Sequence, residues 1–359
     1  MRRFLVILVV LVTIAAGVFE WAAAVWDAPG LPAREGGETV ILIAPHTRAH
    51  DVAAMLEEKG AIKSGLMFEL DLRLKGLASQ IKAGEYAIPS GASLAQISEI
   101  LISGKSIQHK LTAAEGLTSD MIWKLVQADP VLVGDAGPAP AEGTLLPETY
   151  LFTRGETRAG MLAKMARAQG AFLAAHWASR SPGLPFPSMK EAVILASIVE
   201  KETALPEERR HIASVFLNRL RIGMALQTDP TIIYGLTKGY PLGHGIRQSE
   251  LQSDTPYNTY RITGLPPGPI CNPGKDAIAA VLDPEKTDDL YFVANGKGGH
   301  VFSASIADHA RNVAALRNLE RQANHEVQDS GRVGAPEIGV PDTTLPALPV
   351  HKTKRRAHR

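Results

Sequence analysis

Two carboxylates, Glu200 and Glu202, close a stretch that is otherwise almost wholly apolar, Met189-Lys-Glu-Ala-Val-Ile-Leu-Ala-Ser-Ile-Val-Glu-Lys-Glu-Thr203. From Ala192 to Val199 only Ser197 interrupts the apolar side chains. A helix that is apolar on every side is a buried one. Its C-terminal end carries partial negative charge, which disfavours a carboxylate there, and burial disfavours it further. Both effects push a Glu pKa upward, toward what a general acid needs near neutral pH. Lys201, between the two, is expected to face water. A helix end with solvated charges is the bland reading of the same residues. Helical spacing does not choose between the two acids. Glu200 shares a face with Val193, Ala196 and Ser197, Glu202 with Leu195, Ile198 and Val199, and both faces are apolar.

Two further segments are dense in polar side chains. One runs from Asn218-Arg219-Leu220 through Leu226-Gln227-Thr228-Asp229-Pro230, a helix and a Gly223 stop followed by a polar turn. The other is Asp254-Thr-Pro-Tyr257-Asn258-Thr259-Tyr260, followed by Gly264-Leu-Pro-Pro-Gly268. Amides, hydroxyls and tyrosines in irregular loops suit a sugar groove, where rings cover pyranose faces and polar groups meet sugar hydroxyls. Ordinary loop structure accounts for them equally well. Other chemistry is weakly signalled. His46 and His50 have helical spacing, but no third ligand is near, and they read as surface histidines. Asn295-Gly-Lys-Gly-Gly299 is a glycine turn between two short strands at 289–302, with no phosphate-loop pattern.

The elements that hold these residues follow from pattern. Strand, Gly/Pro turn and helix recur three times, at Val40–Ile43 with Val52, Met55 and Leu56, at Tyr86–Ile88 with Leu94, Ile97 and Leu101, and at His109–Thr112 with Met121, Ile122 and Leu125. Gly60 and Gly104 sit where helices should stop. The first two copies bracket a helix near 64–75, a β-α-α-β unit similar to the LysM glycan-binding module. Residues 135–143 form a Gly/Pro/Ala loop. Helices are expected near 157–178, 188–204 and 206–222, the last opening on Pro206.

At the N-terminus, Arg2 and Arg3 precede a charge-free run from Phe4 to Phe19, then Glu20, Trp21 and Trp26. Phe4 to Trp26 is long enough to span a bilayer core of roughly 30 Å. The flanking arginines favour a cytoplasmic N-terminus, and the tryptophans suit the far interface. A signal peptide cleaved near Ala22-Ala23-Ala24 is the alternative, and both readings export the rest of the chain. Residues 321–359 lose apolar periodicity and end in a basic cluster, a disordered tail.

The 359 residues carry a formal net charge of +1, so no global field attracts nucleic acid, and none is expected as a partner. Hydrophobic residues make up 45%, enough for a substantial core. Cys271 is the single cysteine and has no intrachain partner.

Six segments together resemble the endolytic murein transglycosylase family (YceG-like): Ala196–Thr203, Val215–Met224, Leu226–Pro230, Tyr257–Tyr260, Gly264–Gly268 and Tyr291–Ala294. Glu142-Gly143 with Leu146–Tyr150 matches a further element, and the resemblance covers about 37–315. It implies an α+β protein with an N-terminal transmembrane helix, a LysM-like subdomain and a larger, mostly helical, lysozyme-like catalytic domain with short strands. The expected divisions are 1–30 anchor, 37–108 LysM-like, 109–320 catalytic and 321–359 tail. It implies Glu200 as the catalytic acid, groove residues at Asn218, Gln227, Thr228, Asp229, Tyr257, Asn258 and Tyr260, and Glu202 in support. It implies no metal and no cofactor. Peptidoglycan glycan strands are the implied substrate, and the membrane and glycan synthases the implied neighbours. One carboxyl then suffices, because the C6 hydroxyl of N-acetylmuramic acid attacks its own C1. A muramidase-type hydrolase using water, with Asp229 or Glu202 as second carboxylate, and a non-catalytic glycan-binding scaffold are the alternatives.

Overall fold

In the computed structural model, which describes residues 2–33 and 36–329, the chain divides into two compact units. Unit 1 holds the chain up to Ala114 with Ser119–Pro140 and Pro147–Ala168; unit 2 holds Glu115–Thr118, Ala141–Leu146 and the chain from Gln169 onward.

Unit 1 opens with a helix, α1 (Arg2–Asp27). β1 (Glu38–Ile43), α2 (Ala49–Glu58), α3 (Gly65–Leu74) and β2 (Gly84–Pro89) then form the expected β-α-α-β unit. The strands pair antiparallel, Ile41 opposite Tyr86 and Ile43 opposite Gly84. Alternation sends Ile41, Ile43, Tyr86 and Ile88 inward, onto Val52, Leu56, Phe68 and Leu72 of the helices. Each such buried side chain stabilises by about 1.5–3 kcal/mol. α4 (Leu94–Ser103) adds Ile97 and Leu101 to the same core. A Ser93–Gln96 capping box starts it, and Gly104 at φ 73° ends it. β3 (His109–Thr112), α5 (Ser119–Ala128) and β4 (Thr149–Phe152) complete the unit, with β3 and β4 antiparallel. His109 Nε2 and Arg154 Nε lie 2.6 Å and 2.8 Å from the Glu85 carboxylate of β2. These contacts tie the β3–β4 pair to the strands before it. His50 Nδ1 lies 2.8 Å from Glu69, a surface pairing.

One N-terminal expectation needs correction. Trp26 is buried and stacks on Phe68 at 6.1 Å, with Lys75 Nζ 3.4 Å from its ring centre, so it belongs to the unit 1 core rather than to an interface. Among the described residues no helix is long and apolar enough to cross a membrane. The expected span falls on α1, where the side chains of Arg2, Arg3, Leu5, Ala15, Val18, Phe19 and Ala22 lie outside the described residues.

α6 (Arg158–Ala178) belongs to unit 1 through Ala168 and to unit 2 from Gln169. In unit 2, α7 (Met189–Glu202) carries eight consecutive buried residues from Ala192 to Val199, the helix apolar on all sides that the sequence predicts. Ser188 caps its start by accepting the Glu191 N–H. A 3-10 turn at Pro206–Glu208 leads into α8 (Arg209–Arg221). α9 (Asp229–Thr237), α10 (Gln248–Leu251) and α11 (Lys275–Leu282) follow. The core sits around α7: Leu195, Ile198 and Val199 pack with Phe216 and Leu217 of α8 and with Ile278 and Val281 of α11. β5 (Tyr291–Ala294) and β6 (His300–Ser303) form the expected antiparallel pair across the glycine turn. α12 (Ile306–Asp329) continues through the start of the expected tail. Leu319, Glu320, Arg321, Gln322 and Ala323 are good helix formers, so the helix propagates where the apolar pattern has gone. Residues 330–359 of that tail lie outside the described residues.

Candidate active site

α7 is pinned by its one interior polar residue. Ser197 Oγ donates to Ile194 O at 2.7 Å and accepts the Ile270 N–H at 3.0 Å. The Cys271 thiol donates to Ser197 O at 3.3 Å. The segment leading to Gly274 is thereby laid along the helix, and the two carboxylates at its end enter different surroundings.

Glu200 is closed in at the base of a charged cluster whose Glu115 and Asp276 keep solvent exposure. Its side chain is 6% exposed, and its Oε2 accepts the Gly274 N–H at 2.9 Å. Arg209, at the start of α8, reaches to 4.0 Å of Glu200, 3.7 Å of Glu115 and 3.3 Å of Asp276. A Cβ added to Gly274 would sit only 1.9 Å from Glu115 Oε1, so the missing side chain lets the backbone there close on Glu115. Desolvation raises the Glu200 pKa; the Gly274 N–H opposes it, Glu115 adds to it, and Arg209 and Lys201 oppose it. Lys201 itself is exposed, as its sequence position predicts.

Glu202 turns toward the loops that the sequence marks as a groove. The Thr228 hydroxyl donates to its carboxylate. Asp229 and Arg219 act on it electrostatically, and Tyr260 in turn feels its charge. As whole residues both acids are half-buried, and the Glu202 carboxyl is the more deeply enclosed of the two. Desolvation dominates at Glu202 and raises its pKa to about 7, with Thr228 and Arg219 opposing the rise and Asp229 adding to it. A carboxyl of that pKa is populated in both protonation states near neutrality, as an acid that later acts as a base requires.

The other groove candidates divide into positioning and facing residues. The Tyr260 hydroxyl donates to Asp229 Oδ1 at 2.7 Å, and the Tyr260 side chain is open to solvent. Gln227 adopts φ 50°. That left-handed backbone is uncommon for a residue with a Cβ, and it makes the turn from Leu226 to Thr228 tight. Thr228 is buried, and its N–H donates to the Thr259 hydroxyl at 3.0 Å. Asn258 is fully buried: its amide donates to Leu251 O and Ser253 O and accepts the Tyr260 N–H, so it shapes the loop. Asn218 donates to Thr287 O at 2.8 Å and Asp289 O at 3.0 Å, holding the chain before β5. Tyr257 packs on Tyr234 at 4.8 Å between ring centres, with Lys238 Nζ 5.6 Å from its ring. Thr228, Asp229 and Tyr260 thus come together at Glu202, whereas Asn218 and Asn258 spend their amides on backbone carbonyls.

Glu115, Arg209 and Arg219 escape a reading of the sequence alone. Each is a charged residue at a turn or on a helix, which reads as solvated; packing buries Arg209 and Arg219, whereas Glu115 stays exposed and joins the site through Arg209. Two clefts of unit 2 are lined by neither Glu200 nor Glu202. One, of about 400 Å³, lies among His176, Arg180, Arg209, Arg210 and Asp276; the other, of about 510 Å³, lies beside Lys190, Glu191 and Leu265. No group of three or more potential metal-ligating side chains occurs among the described residues.

The sequence profile of the YceG-like family matches residues 41–315. A Bacillus subtilis (strain 168) protein named endolytic murein transglycosylase is 30% identical, the match covering 72% of this chain and 79% of that protein. Proteins of the same name from Streptococcus pneumoniae strains D39 and R6 are 31% identical, with 75% of this chain matched to 56% of theirs. A crystal structure of a YceG-like protein from Listeria monocytogenes is 29% identical and covers 77% of this chain and 98% of its own, with a TM-score of 0.49.

Proposed function

This chain belongs to the YceG-like family, and from that membership we propose that it is an endolytic murein transglycosylase, a lyase cleaving the β-1,4 bond between N-acetylmuramic acid and N-acetylglucosamine inside glycan strands. The observation that carries the chemistry is a carboxyl of raised pKa at the end of a buried helix, beside Thr228, Asp229 and Tyr260. That carboxyl is Glu202.

The motif resemblance points to Glu200 as the acid, and the surroundings favour Glu202. The Glu200 carboxylate is already engaged by the Gly274 N–H, with Arg209 beside it. Glu202 shares its neighbours with the groove candidates, and its pKa is brought to about 7. In the reaction, protonated Glu202 gives its proton to the leaving glycosidic oxygen as the C1–O bond breaks. The C6 hydroxyl of the same muramic acid residue bonds to C1, and its proton passes to the Glu202 carboxylate. The products are a free 4-hydroxyl on one fragment and a 1,6-anhydro end on the other, with no water consumed. An intramolecular nucleophile held near C1 gains the large advantage of proximity.

A muramidase-type hydrolase is the second reading, and Asp229 beside Glu202 is the observation that favours it, since hydrolases use two carboxylates. Mass spectrometry of purified peptidoglycan digested with the full chain separates the two. Anhydro ends support the transglycosylase, and reducing ends one water heavier would sink it.

The wider setting is part of the same proposal. α1 anchors the protein in the cytoplasmic membrane with Arg2 and Arg3 inside, supported by exposed apolar side chains such as Phe4, Ile7, Leu11 and Ile14. The β-α-α-β unit acts as a LysM-like glycan-binding module, supported by its element order. An enzyme so placed beside glycan synthases would end the growth of nascent strands. Membrane fractionation with protease shaving of spheroplasts checks this: protein in the soluble fraction, or residues 37–320 protected from protease, would contradict it.

A further inference from the structure

We infer that Arg219 is the positioning residue for the acid/base, holding the turn from which Thr228 donates to Glu202. Arg219 has this role only if Glu202 is the acid/base, the reading proposed for this site.

Arg219 lies on α8 and is 7% exposed, an unusual place for a guanidinium. Its Nε donates to Leu290 O at 2.7 Å and its Nη1 to Leu226 O at 2.5 Å. The guanidinium carbon lies 5.6 Å from the Tyr291 ring centre. The fork therefore joins two separate segments, the one entering β5 and the one entering the 226–229 turn. That turn is the tight one. Leu226 O is held by Arg219, Gln227 follows at φ 50° with its N–H on Thr259 O, and Thr228 then presents its hydroxyl to Glu202. A planar, five-donor group can bridge two carbonyls in this way, and a lysine ammonium cannot reproduce the fork.

The charge matters as well as the fork. The charged and titratable groups facing Glu202 are Asp229 of α9, Arg219 of α8 and Tyr260 of the 257–260 loop. Those facing Arg219 are Glu202, Tyr260, Tyr291 of β5 and His309 of α12. Arg219 is thus the cation that offsets Asp229. Without it, the ionised form of Glu202, needed to take the C6 hydroxyl proton, faces Asp229 alone.

The test compares Arg219→Lys and Arg219→Gln in the full chain, reading the pH–rate profile for anhydro-end formation on purified peptidoglycan. Arg219→Lys keeps the charge and loses the fork, so the rate falls about tenfold while the limb assigned to Glu202 stays in place. Arg219→Gln loses both, so that limb moves to higher pH by about one unit, the scale of one close charge. A limb in Arg219→Gln that coincides with wild type overturns the inference, because a purely structural role lowers the rate without moving it. Full activity in Arg219→Lys also overturns it, and that arm alone decides if Arg219→Gln does not fold. Glu202→Gln runs alongside: an active Glu202→Gln refutes the underlying reading, whereas an inactive one with an unmoved Arg219→Gln limb refutes only the role of Arg219.

Discussion

The two faces of the last turn of α7 make opposite use of the same side chain. On one face Glu200 meets the Gly274 N–H and an arginine shared with Glu115 and Asp276. On the other, Glu202 meets a hydroxyl, a second carboxylate and the tyrosine bonded to it, the last two exposed. Both pKa values rise by desolvation, and both residues are half-buried, so neither property alone marks the reacting group. What separates them is company. Glu200 is held among groups that fasten three segments together, while Glu202 lies beside Thr228, Asp229 and Tyr260, three of the groove candidates.

The largest test of this contrast is a pair of amide substitutions. Glu202→Gln removes the proton donor and should lower anhydro-end formation by about 10³-fold, within the usual range for general acid–base catalysis. Glu200→Gln keeps the shape and can still accept the Gly274 N–H, so its loss should stay within about tenfold. The measurement is product release from purified peptidoglycan, with circular dichroism to verify folding. The opposite ranking would return the acid to Glu200 and make the open face a binding surface only.

The pH dependence sharpens the same comparison. Glu202 must be protonated to act as the acid, so the rate should fall as pH rises through about 7. Stability follows the same sign. The pKa is raised on folding from 4.5 to about 7, so the folded state holds the proton more tightly than the unfolded chain. The stability this confers is complete below about pH 4.5 and is lost as pH rises through about 7, a change on the order of 3 kcal/mol before relaxation reduces it. Chemical denaturation between pH 5 and 8 should therefore show a downward slope in the wild type that is flattened in Glu202→Gln. An equal slope in both would remove Glu202 as its source.

How far these differences are legible in the sequence depends on how local their causes are. α7 is readable because its apolar character on all sides is a property of its own residues. The β-α-α-β order is readable from strand runs and glycine stops for the same reason. The divergence of Glu200 and Glu202 is not, since it is set by Gly274, Arg209 and Thr228, which come from elsewhere in the chain. Asn218 and Asn258 read as sugar ligands because they are amides in segments dense in polar side chains. In the fold they bond to backbone carbonyls, the commoner fate of polar side chains drawn out of water. Trp26 reads as an interfacial anchor because it follows an apolar run, and only the Phe68 ring opposite reveals it as core.

A smaller effect probes the closed face. Gly274→Ala would place its Cβ 1.9 Å from Glu115 Oε1 and 2.8 Å from Glu115 Cγ. The clash falls on a flexible side chain, so Glu115 should swing away from Arg209 and leave the Gly274 N–H on Glu200. A loss of about 1 kcal/mol in stability is expected, at the low end for overpacking, with the rate changed less than threefold (roughly 0.6 kcal/mol). Thermal melts beside the activity assay check this. A collapse in rate with stability intact would mean that the closed face does chemistry after all.

The smallest expected change probes the open face. Tyr260→Phe removes the hydroxyl that donates to Asp229 Oδ1 at 2.7 Å and leaves the ring in place. One hydrogen bond to a carboxylate at an exposed position contributes on the order of 1 kcal/mol. Stability should hardly move, because the ring is open to solvent and Asp229 can turn to water. The consequence falls on Glu202 instead. An Asp229 carboxylate stripped of its donor holds its negative charge less dispersed, and Asp229 already raises the Glu202 pKa. The descending limb of the pH–rate profile should therefore shift to higher pH by a few tenths of a unit, the size of a partly screened neighbouring charge. KM for glycan should rise by about two- to fivefold if the hydroxyl also meets sugar, a difference of roughly 0.4–1 kcal/mol. A profile and KM both identical to wild type would show that Tyr260 and Asp229 do not communicate with Glu202. The open face would then lose the property that distinguishes it from the closed one.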